Sequence, residues 1–308
     1  MNHTFNAPKM RVITSHGLGN QLFQFSFAHF LRKFSDTVIF ENSPIFPVGH
    51  SFMLEQLESR CPHLTFHKNF TISHTSILGR ALFKYKIADL YQDYTIRKGR
   101  DNFLNEELNE NFRFFGDRFS IFQTNTTHVG FWQHWQYLNY ENYVVAHEIL
   151  AALKTVSIPR FLISKSERKK VVIHVRRGDY LSRGLDQVFG VVSPASYVRV
   201  LDNLLSEFTN LDVTTITDDS KLAGNEKYSK RFGIILSPDS CNAWQGLKLM
   251  ADADIVIAAN STYSWWGGVL NFISGGKSFI PRTFFQKLET FDAFDFPGFI
   301  KYENGFEK

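Results

Sequence analysis

The stretch Val171-Val-Ile-His-Val-Arg-Arg-Gly-Asp-Tyr180 indicates the fold of this chain more clearly than any other. Its first five residues are apolar and β-branched apart from one histidine, which predicts a buried strand over 171–175. The strand then ends abruptly in two arginines, a glycine and an aspartate. Parallel α/β sheets bind their ligands at the carboxyl ends of the strands. The stretch therefore predicts a binding site at the end of a central strand.

Strand and helix patterns alternate on the C-terminal side of this stretch. Continuous β-branched runs separated by helical segments are typical of a parallel sheet that is covered on both faces. The predicted strands are 213–217, 233–236, 254–258 and 277–280, and the predicted helices are 194–207, 220–230, 244–251 and 264–272.

The N-terminal half opens with a unit of the same kind. A strand, a glycine-containing turn, a helix and a second strand follow one another, as they do at the start of a Rossmann-like unit. Their predicted bounds are 10–14, 16–19, 20–34 and 37–40. Residues 43–125 show no clear pattern and no repeat.

A connector separates the two halves. An amphipathic helix is predicted over 141–154, and the charge run 165–170 after it is interpreted as a solvated connector. The sequence thus predicts an α/β protein with two Rossmann-like domains, residues 1–158 and 159–308.

Composition excludes several classes of protein. With 308 residues and a hydrophobic fraction of 44%, the chain can bury a core and is not predominantly disordered. Its net charge of +4 is too small and too scattered to indicate nucleic-acid binding. The apolar runs fall far short of the ~20 residues that a membrane span needs. The two cysteines, Cys61 and Cys241, form no CxxC motif, so neither a disulfide scaffold nor metal ligation by thiolate is expected.

The strand end at 174–180 could carry phosphate chemistry. Alternation along a strand places His174 and Arg176 on the same face. The planar guanidinium groups of Arg176 and Arg177 suit a pair of phosphate oxygens and keep their charge. Such a cation stabilises a phosphate as it leaves. The alternative is a purely structural network of these arginines with Asp179.

A second candidate site begins at Asn260, which follows a predicted strand and precedes a helix. Free N–H groups and small hydroxyls at a helix N-terminus bind phosphate. An ordinary cap needs one hydroxyl, whereas Ser261, Thr262 and Ser264 supply three. That excess favours a ligand. The alternative is an ordinary cap, with the next two tryptophans packed in the core.

Three further segments are open to two interpretations each. The turn containing Gly17, Gly19, Asn20 and Gln21 resembles a dinucleotide turn but is not GxGxxG, and a plain tight turn explains it as well. Asp218 and Asp219, also at a strand end, could hold a divalent metal, a base or a ribose, or could cap a helix. Trp132 and Gln133 suit a sugar, although core packing is the more common fate of such residues.

In their order along the chain, these segments resemble the α-1,2-fucosyltransferases of glycosyltransferase family 11. The resemblance spans about residues 10–270. It is carried by Gly17-Leu-Gly-Asn-Gln-Leu-Phe-Gln-Phe25, Gly130-Phe-Trp-Gln133, His174-Val-Arg-Arg-Gly-Asp-Tyr180, Thr217-Asp-Asp219 and Ala259-Asn-Ser-Thr-Tyr-Ser-Trp-Trp266.

The resemblance implies a GT-B fold, in which two Rossmann-like domains face each other across a cleft. It implies inverting transfer of L-fucose from GDP-β-L-fucose to the 2-hydroxyl of a terminal galactoside, without a bound metal or other cofactor. Arg176 would be the counter-charge of the phosphate, Asn20 would lie near the donor, and Ser261 and Thr262 would contact phosphate. The general base stays open among Asp179, His174 and His16.

The chain departs from the family pattern in two places. His16 stands where the family usually has glycine, and Trp244-Gln-Gly246 stand where an acidic residue is common. If that acidic residue recognises the guanine base in relatives, Asp218 or Asp219 is expected to recognise it here.

Two rival functions remain. One is an inverting GT-B enzyme that uses another nucleotide sugar, and the other is a non-catalytic carbohydrate-binding protein, which has no need for two arginines at a strand end. The expected partners are GDP-fucose and a galactose-terminated glycan, and no nucleic acid. With no signal segment or anchor in the sequence, we expect a cytoplasmic enzyme that works in peripheral contact with the inner face of a bacterial membrane.

Overall fold

The protein divides into two compact units, Met1–Glu148 and Ile149–Lys308. The predicted boundary, at residue 158, lies ten residues after this division. The structure, a computed structural model, describes residues 9–42, 45–46, 51–61, 64–67, 72–73, 102–105, 114, 126–139, 141–159, 167–182, 184–222 and 231–307. Most of the predicted helix at 220–230 lies outside these residues.

The first unit is built around a parallel sheet. Its described strands are β1 (Lys9–Thr14), β2 (Thr37–Asn42), β4 (Leu64–His67), β6 (Asn102–Asn105) and β7 (Thr126–Val129), with β3 (Ile45–Phe46) and β5 (Ile72–Ser73) in a separate parallel pair. Its described helices are α1 (Leu18–Leu31), α2 (Glu55–Glu58) and a 3-10 turn at Trp135–Tyr137; α3 (Val144–Leu153) follows. The order of the strands in the sheet is β4-β2-β1-β7-β6, and every pairing is parallel.

Helix α1 forms the core of the first unit together with the sheet. It packs against β1 and β2. Its phenylalanines are buried, among them Phe23, Phe25 and Phe27. Every residue of α1 except Asn20 is buried, polar ones included, so the helix is enclosed on all sides instead of carrying one apolar stripe.

The second unit holds a larger parallel sheet. Its described strands are β8 (Lys169–Val175), β9 (Leu211–Thr217), β10 (Ile234–Leu236), β11 (Ile255–Ile257), β12 (Lys277–Pro281) and β13 (Phe299–Tyr302). Its described helices are α4 (Gly178–Ser182), α5 (Asp186–Phe189), α6 (Pro194–Glu207), α7 (Ala243–Ala251) and α8 (Thr262–Ile273). The order is β10-β9-β8-β11-β12-β13.

The two-domain α/β prediction is confirmed, and α6 has the predicted bounds. The pattern missed β13, which pairs in parallel with β12. It also missed α4 and α5, because helices of four or five residues are too short to show a 3.6-residue period. Within the described ranges, no helix has the length and apolar character of a membrane span.

The strand order fixes where ligands can bind. In the second sheet the chain runs outward from β8 through β9 to β10, and then in the other direction through β11 to β13. In the first sheet the chain runs outward from β1 through β2 to β4, then crosses to β6 at the far edge and returns inward to β7, which lies beside β1. Open parallel sheets bind ligands at such switch points, beyond the carboxyl ends of the two strands concerned. The sequence motifs after β8, β11, β1 and β7 all lie at these points.

Candidate active site

Arg176, just after β8, is held by two carboxylates. Its Nη2 donates to Oδ2 of Asp179 at 2.6 Å, and its Nη1 lies 3.1 Å from Oδ2 of Asp218. The guanidinium also lies over the ring of Tyr180, 5.5 Å from its centroid. Burial lowers the pKa of Arg176, but the carboxylates of Asp218 and Asp179 outweigh burial and raise it above the ordinary value. Arg176 is therefore a permanent cation at the switch point.

Asp218 organises the turn that carries the arginines. Its Oδ1 accepts the backbone N–H groups of Arg177 at 2.8 Å and Gly178 at 3.0 Å, at the start of α4. A Cβ on Gly178 would lie 2.5 Å from the backbone oxygen of Asp218, so only glycine fits there. Burial raises the pKa of Asp218, but Arg176 and these N–H groups lower it below its ordinary value. Asp218 thus caps α4 and orients Arg176; a contact with the nucleotide stays a prediction.

Arg177 points to a different set of carboxylates. Its Nε donates to Oδ2 of Asp219 at 3.3 Å, and its Nη1 pairs with Glu307. The backbone N–H of Glu307 donates to the carbonyl of Val191, which fixes this late segment beside the site. Sequence analysis missed Glu307, because no local pattern links an acid to an arginine 130 residues earlier.

His174 is buried and neutral. Its side chain is enclosed beside Tyr263, with the ring centroids 5.2 Å apart. The pKa of His174 is lowered to about 3, chiefly by burial; Asp218 opposes this shift and Arg176 adds to it. The two carboxylate oxygens of Asp179 have different surroundings. Oδ2 accepts from Arg176, whereas Oδ1 is buried and has no hydrogen-bond partner within the described residues.

The segment after β11 reaches the same edge of the sheet. The hydroxyl of Tyr180 donates to the carbonyl of Asn260 at 3.0 Å, and the Asn260 amide donates to the carbonyls of Phe189 and Gly190, both at 2.9 Å. Asn260 is fully buried, so this bonding holds α5 against the end of β11. The structure thus brings the 174–180 and 260–264 motifs together.

The three hydroxyls of this segment have different environments. Ser261 is the N-cap of α8, and its Oγ accepts the N–H of Tyr263 at 3.3 Å. Ser264 is fully buried and donates to the carbonyl of Ala259 at 2.9 Å. Thr262, the first residue of α8, is half-buried. Ser264 therefore stabilises the turn, whereas Ser261 and Thr262 stand at the helix N-terminus where an anion would bind. Trp265 and Trp266 are both buried in the core.

The first unit gathers its own motifs at the β1–β7 switch point. The amide of Gln133 donates to Oδ1 of Asn20 at 2.7 Å. Gly17 is the N-cap of α1, and Gly19 is buried in its first turn. Gln21 is fully buried and donates to the carbonyls of His16 and Ser51, both at 2.7 Å. Asn20 and Gln133 thus form one amide pair, whereas Gln21 holds the 51–53 segment in place.

Trp132 does not form an exposed platform. Its side chain is fully buried, and its ring stacks on Phe27 with the centroids 4.0 Å apart and the planes 4° from parallel. The core-packing alternative therefore describes this tryptophan in the structure, and the sugar-platform interpretation needs correction. The sequence alone cannot distinguish a tryptophan packed in the core from one that binds a sugar, since both roles use the same apolar face of the ring.

His16 adopts a backbone conformation that favours glycine. Its φ is 68°, in the left-handed region that non-glycine residues rarely occupy. This conformation explains why glycine suits the position and why histidine is strained there. Its Nδ1 lies 2.8 Å from Oγ of Ser15, and its ring contacts Phe131 edge-on.

Two parallel-sheet units, each with a polar motif at its switch point, give the chain the architecture of the GT-B class. The model of the family described as Glycosyl transferase family 11 matches residues 9–289, and the chain belongs to this family.

Two curated relatives come from Escherichia coli. An alpha-1,2-colitosyltransferase is 28% identical over 176 residues, which cover 54% of this chain and 58% of that protein. The O-antigen biosynthesis glycosyltransferase WbnK is 30% identical over 118 residues, 37% of this chain and 38% of that protein. The matched region is less than two thirds of either relative. Among solved structures, FUT1 of Arabidopsis thaliana with GDP aligns at a TM-score of 0.47 and 14% identity, covering 91% of this chain and 71% of that one.

Proposed function

We propose that the chain transfers L-fucose from GDP-β-L-fucose to the 2-hydroxyl of a terminal galactoside, with inversion at the anomeric carbon. The observation that carries the proposal is the placement of Arg176, a permanent cation at a switch point beside the N-terminus of α8. About a quarter of the Arg176 side chain (24%) stays exposed, which leaves room for a phosphate oxygen. Membership of the family supports transfer of a sugar rather than binding alone.

Arg176 contributes through directed hydrogen bonds more than through net charge. Asp179 and Asp218 already balance its charge in the structure. They also fix the plane of the guanidinium, so its remaining N–H groups point in defined directions. A preorganised donor of this kind stabilises charge that develops on the β-phosphate as the sugar–oxygen bond breaks. The N–H groups at the start of α8 would bind the same diphosphate.

Asp179 is the general base that the geometry supports best. Its side chain is 24% exposed, whereas His174 is enclosed. Removing the proton from the acceptor hydroxyl as it attacks requires an accessible base. In this scheme Asp179 takes the proton, the hydroxyl oxygen bonds to the anomeric carbon, and GDP leaves with the electron pair of the broken bond.

Transfer of colitose is the second candidate, because the first curated relative is an alpha-1,2-colitosyltransferase. A donor screen decides between the candidates. Purified enzyme is incubated with GDP-fucose, other GDP- and UDP-sugars, and nucleotide-linked colitose, each with and without a galactoside. We expect GDP release and an α-1,2-linked product with GDP-fucose. If only nucleotide-linked colitose gave product, colitose transfer would replace fucose transfer as the function. Sugar binding without turnover of any donor would indicate a carbohydrate-binding protein.

We predict that Ser261→Ala weakens GDP binding. The Ser261 hydroxyl would contact phosphate before any acceptor binds, and a hydrogen bond of this kind contributes about 0.5–1.5 kcal/mol, or about 2- to 13-fold in Kd. Titration calorimetry with GDP measures the loss. Because Ser261 also caps α8, the matched control is Asn242→Ala, which removes the cap of α7. Equal loss of GDP affinity in the two variants would show that capping, not phosphate contact, explains the effect.

The transfer step is predicted to need no divalent metal. Arg176 and the start of α8 supply the stabilisation that Mg²⁺ or Mn²⁺ provides elsewhere, and Asp218 and Asp219 are engaged by the two arginines. Initial rates with EDTA should therefore match those with added Mg²⁺. Loss of activity in EDTA that Mg²⁺ or Mn²⁺ restores would assign the aspartate pair to a metal.

A further inference from the structure

The first unit contains three side chains of metal-binding type that the proposed function does not use. They are His29 in α1, Cys61 just before β4, and Glu148 in α3. Their ligand atoms all lie within 4.8 Å of one another. No motif spacing connects residues 29, 61 and 148, so only the folded chain brings them together.

The geometry of the group is close to that of a zinc site. Sγ of Cys61 lies 3.0 Å from Oε2 of Glu148, and Nε2 of His29 lies 3.2 Å from the same oxygen. Zinc bonds of about 2.0–2.3 Å in a tetrahedral arrangement separate ligand atoms by roughly 3.4–3.6 Å. Shifts of a few tenths of an ångström bring these two pairs to that spacing, and the third pair, Sγ of Cys61 and the ligand nitrogen of His29, lies within 4.8 Å.

Burial and charge also fit a cation. His29 and Cys61 are fully buried, and the Glu148 side chain is 16% exposed. A buried carboxylate or thiolate is costly unless a charge compensates it. A divalent ion with one thiolate, one carboxylate and a neutral imidazole has no net charge, so the cost of burying the charges largely cancels. Without an ion the Cys61 thiol donates to Oε2 of Glu148, so a bound ion would displace that proton.

We propose that His29, Cys61 and Glu148 bind one zinc ion through Nε2, Sγ and Oε2. The mixed nitrogen, sulfur and oxygen donors favour zinc over magnesium or calcium, which prefer oxygen alone. Water would complete the tetrahedron. The ion joins α1, the segment before β4 and α3, so it stabilises the first unit rather than acting on the sugar.

Metal analysis of the whole chain tests this proposal. Wild-type protein purified with zinc and then dialysed should retain about one equivalent, measured by mass spectrometry of the metal. Cys61→Ser should lower the zinc affinity by at least ~10–100-fold, because the loss of a residue that only supports a metal ligand already has an effect of that size. Competition with a chromogenic chelator measures the affinity. Cys241→Ser, which changes the other buried cysteine, is the matched control and should bind zinc like the wild type.

Cobalt gives a second signature. Wild-type protein loaded with Co²⁺ should show a thiolate-to-cobalt charge-transfer band that Cys61→Ser lacks and Cys241→Ser keeps. Removal of zinc should lower the Tm of the wild type, and only zinc, not Mg²⁺, should restore it, which separates this site from a catalytic metal. Failure of folded wild-type protein to take up zinc would overturn the proposal. So would equal zinc affinity in the wild type and in Glu148→Gln, the variant to use if Cys61→Ser does not fold.

Discussion

Arg176→Lys is expected to lower kcat by ~10²–10³ while the protein stays folded. Lysine keeps the positive charge and can still pair with Asp218 or Asp179, so the turn after β8 survives. It lacks the planar fork that directs several N–H groups at once. Losing one preorganised donor to a developing charge costs about 2.7–4 kcal/mol of transition-state stabilisation. Steady-state kinetics with GDP-fucose and a galactoside measure the loss.

Arg177→Lys is the matched comparison for this variant. It makes the same chemical change one residue later, where the side chain pairs with Asp219 and Glu307. We expect a smaller loss of kcat, because those contacts hold the late segment rather than the diphosphate. Circular dichroism and thermal unfolding establish that both variants fold. Near-wild-type turnover in folded Arg176→Lys would remove Arg176 from the proposed mechanism.

Trp132→Ala is expected to destabilise the first unit by about 3–5 kcal/mol, the typical cost of truncating a buried tryptophan. The change removes the stack on Phe27 and leaves a cavity between α1 and the end of β7. For a unit of this size the loss corresponds to a fall in Tm of roughly 6–20 °C. Thermal unfolding of wild type and variant measures it. GDP affinity, titrated below the Tm of the variant, should change little.

Trp135→Ala controls for the loss of a tryptophan as such. Trp135 lies three residues later and is only half-buried, so we expect a smaller shift in Tm. If Trp132→Ala kept the stability of the wild type and raised the KM of the acceptor, the ring would act as a sugar platform after all. That outcome would contradict the packing seen in the structure.

Much of the fold could be predicted from the sequence, because the signals are local. A buried parallel strand needs a continuous apolar run, and the strands at 171–175 and 254–258 were found on that basis. The helix at Pro194–Glu207 was found with the observed bounds, since its apolar side chains recur at helical spacing. The arginine-containing motif was also recognisable, because it stands directly after a buried strand, where parallel α/β sheets bind ligands. The sequence left a purely structural network of the arginines with Asp179 open.

The candidate site was predicted less completely. The sequence placed Arg176, Asp179 and Asn260 at strand ends, and the strand order then brought them to one edge of the sheet. It left open whether Asp218 binds ligand or caps a helix. The structure shows the cap, because the carboxylate reaches the N–H groups at the start of α4.

The sequence by itself therefore determined the class of the protein, its two α/β units and the strand ends that carry the polar motifs. Only the tertiary structure decided that Trp132 stacks on Phe27, that Glu307 pairs with Arg177, and that His29, Cys61 and Glu148 meet. The physical reason is that secondary structure follows from periodicity among neighbouring residues, whereas these contacts join residues far apart in the chain. Which of them meet depends on the order of the strands and on how the helices pack, and no local pattern encodes either.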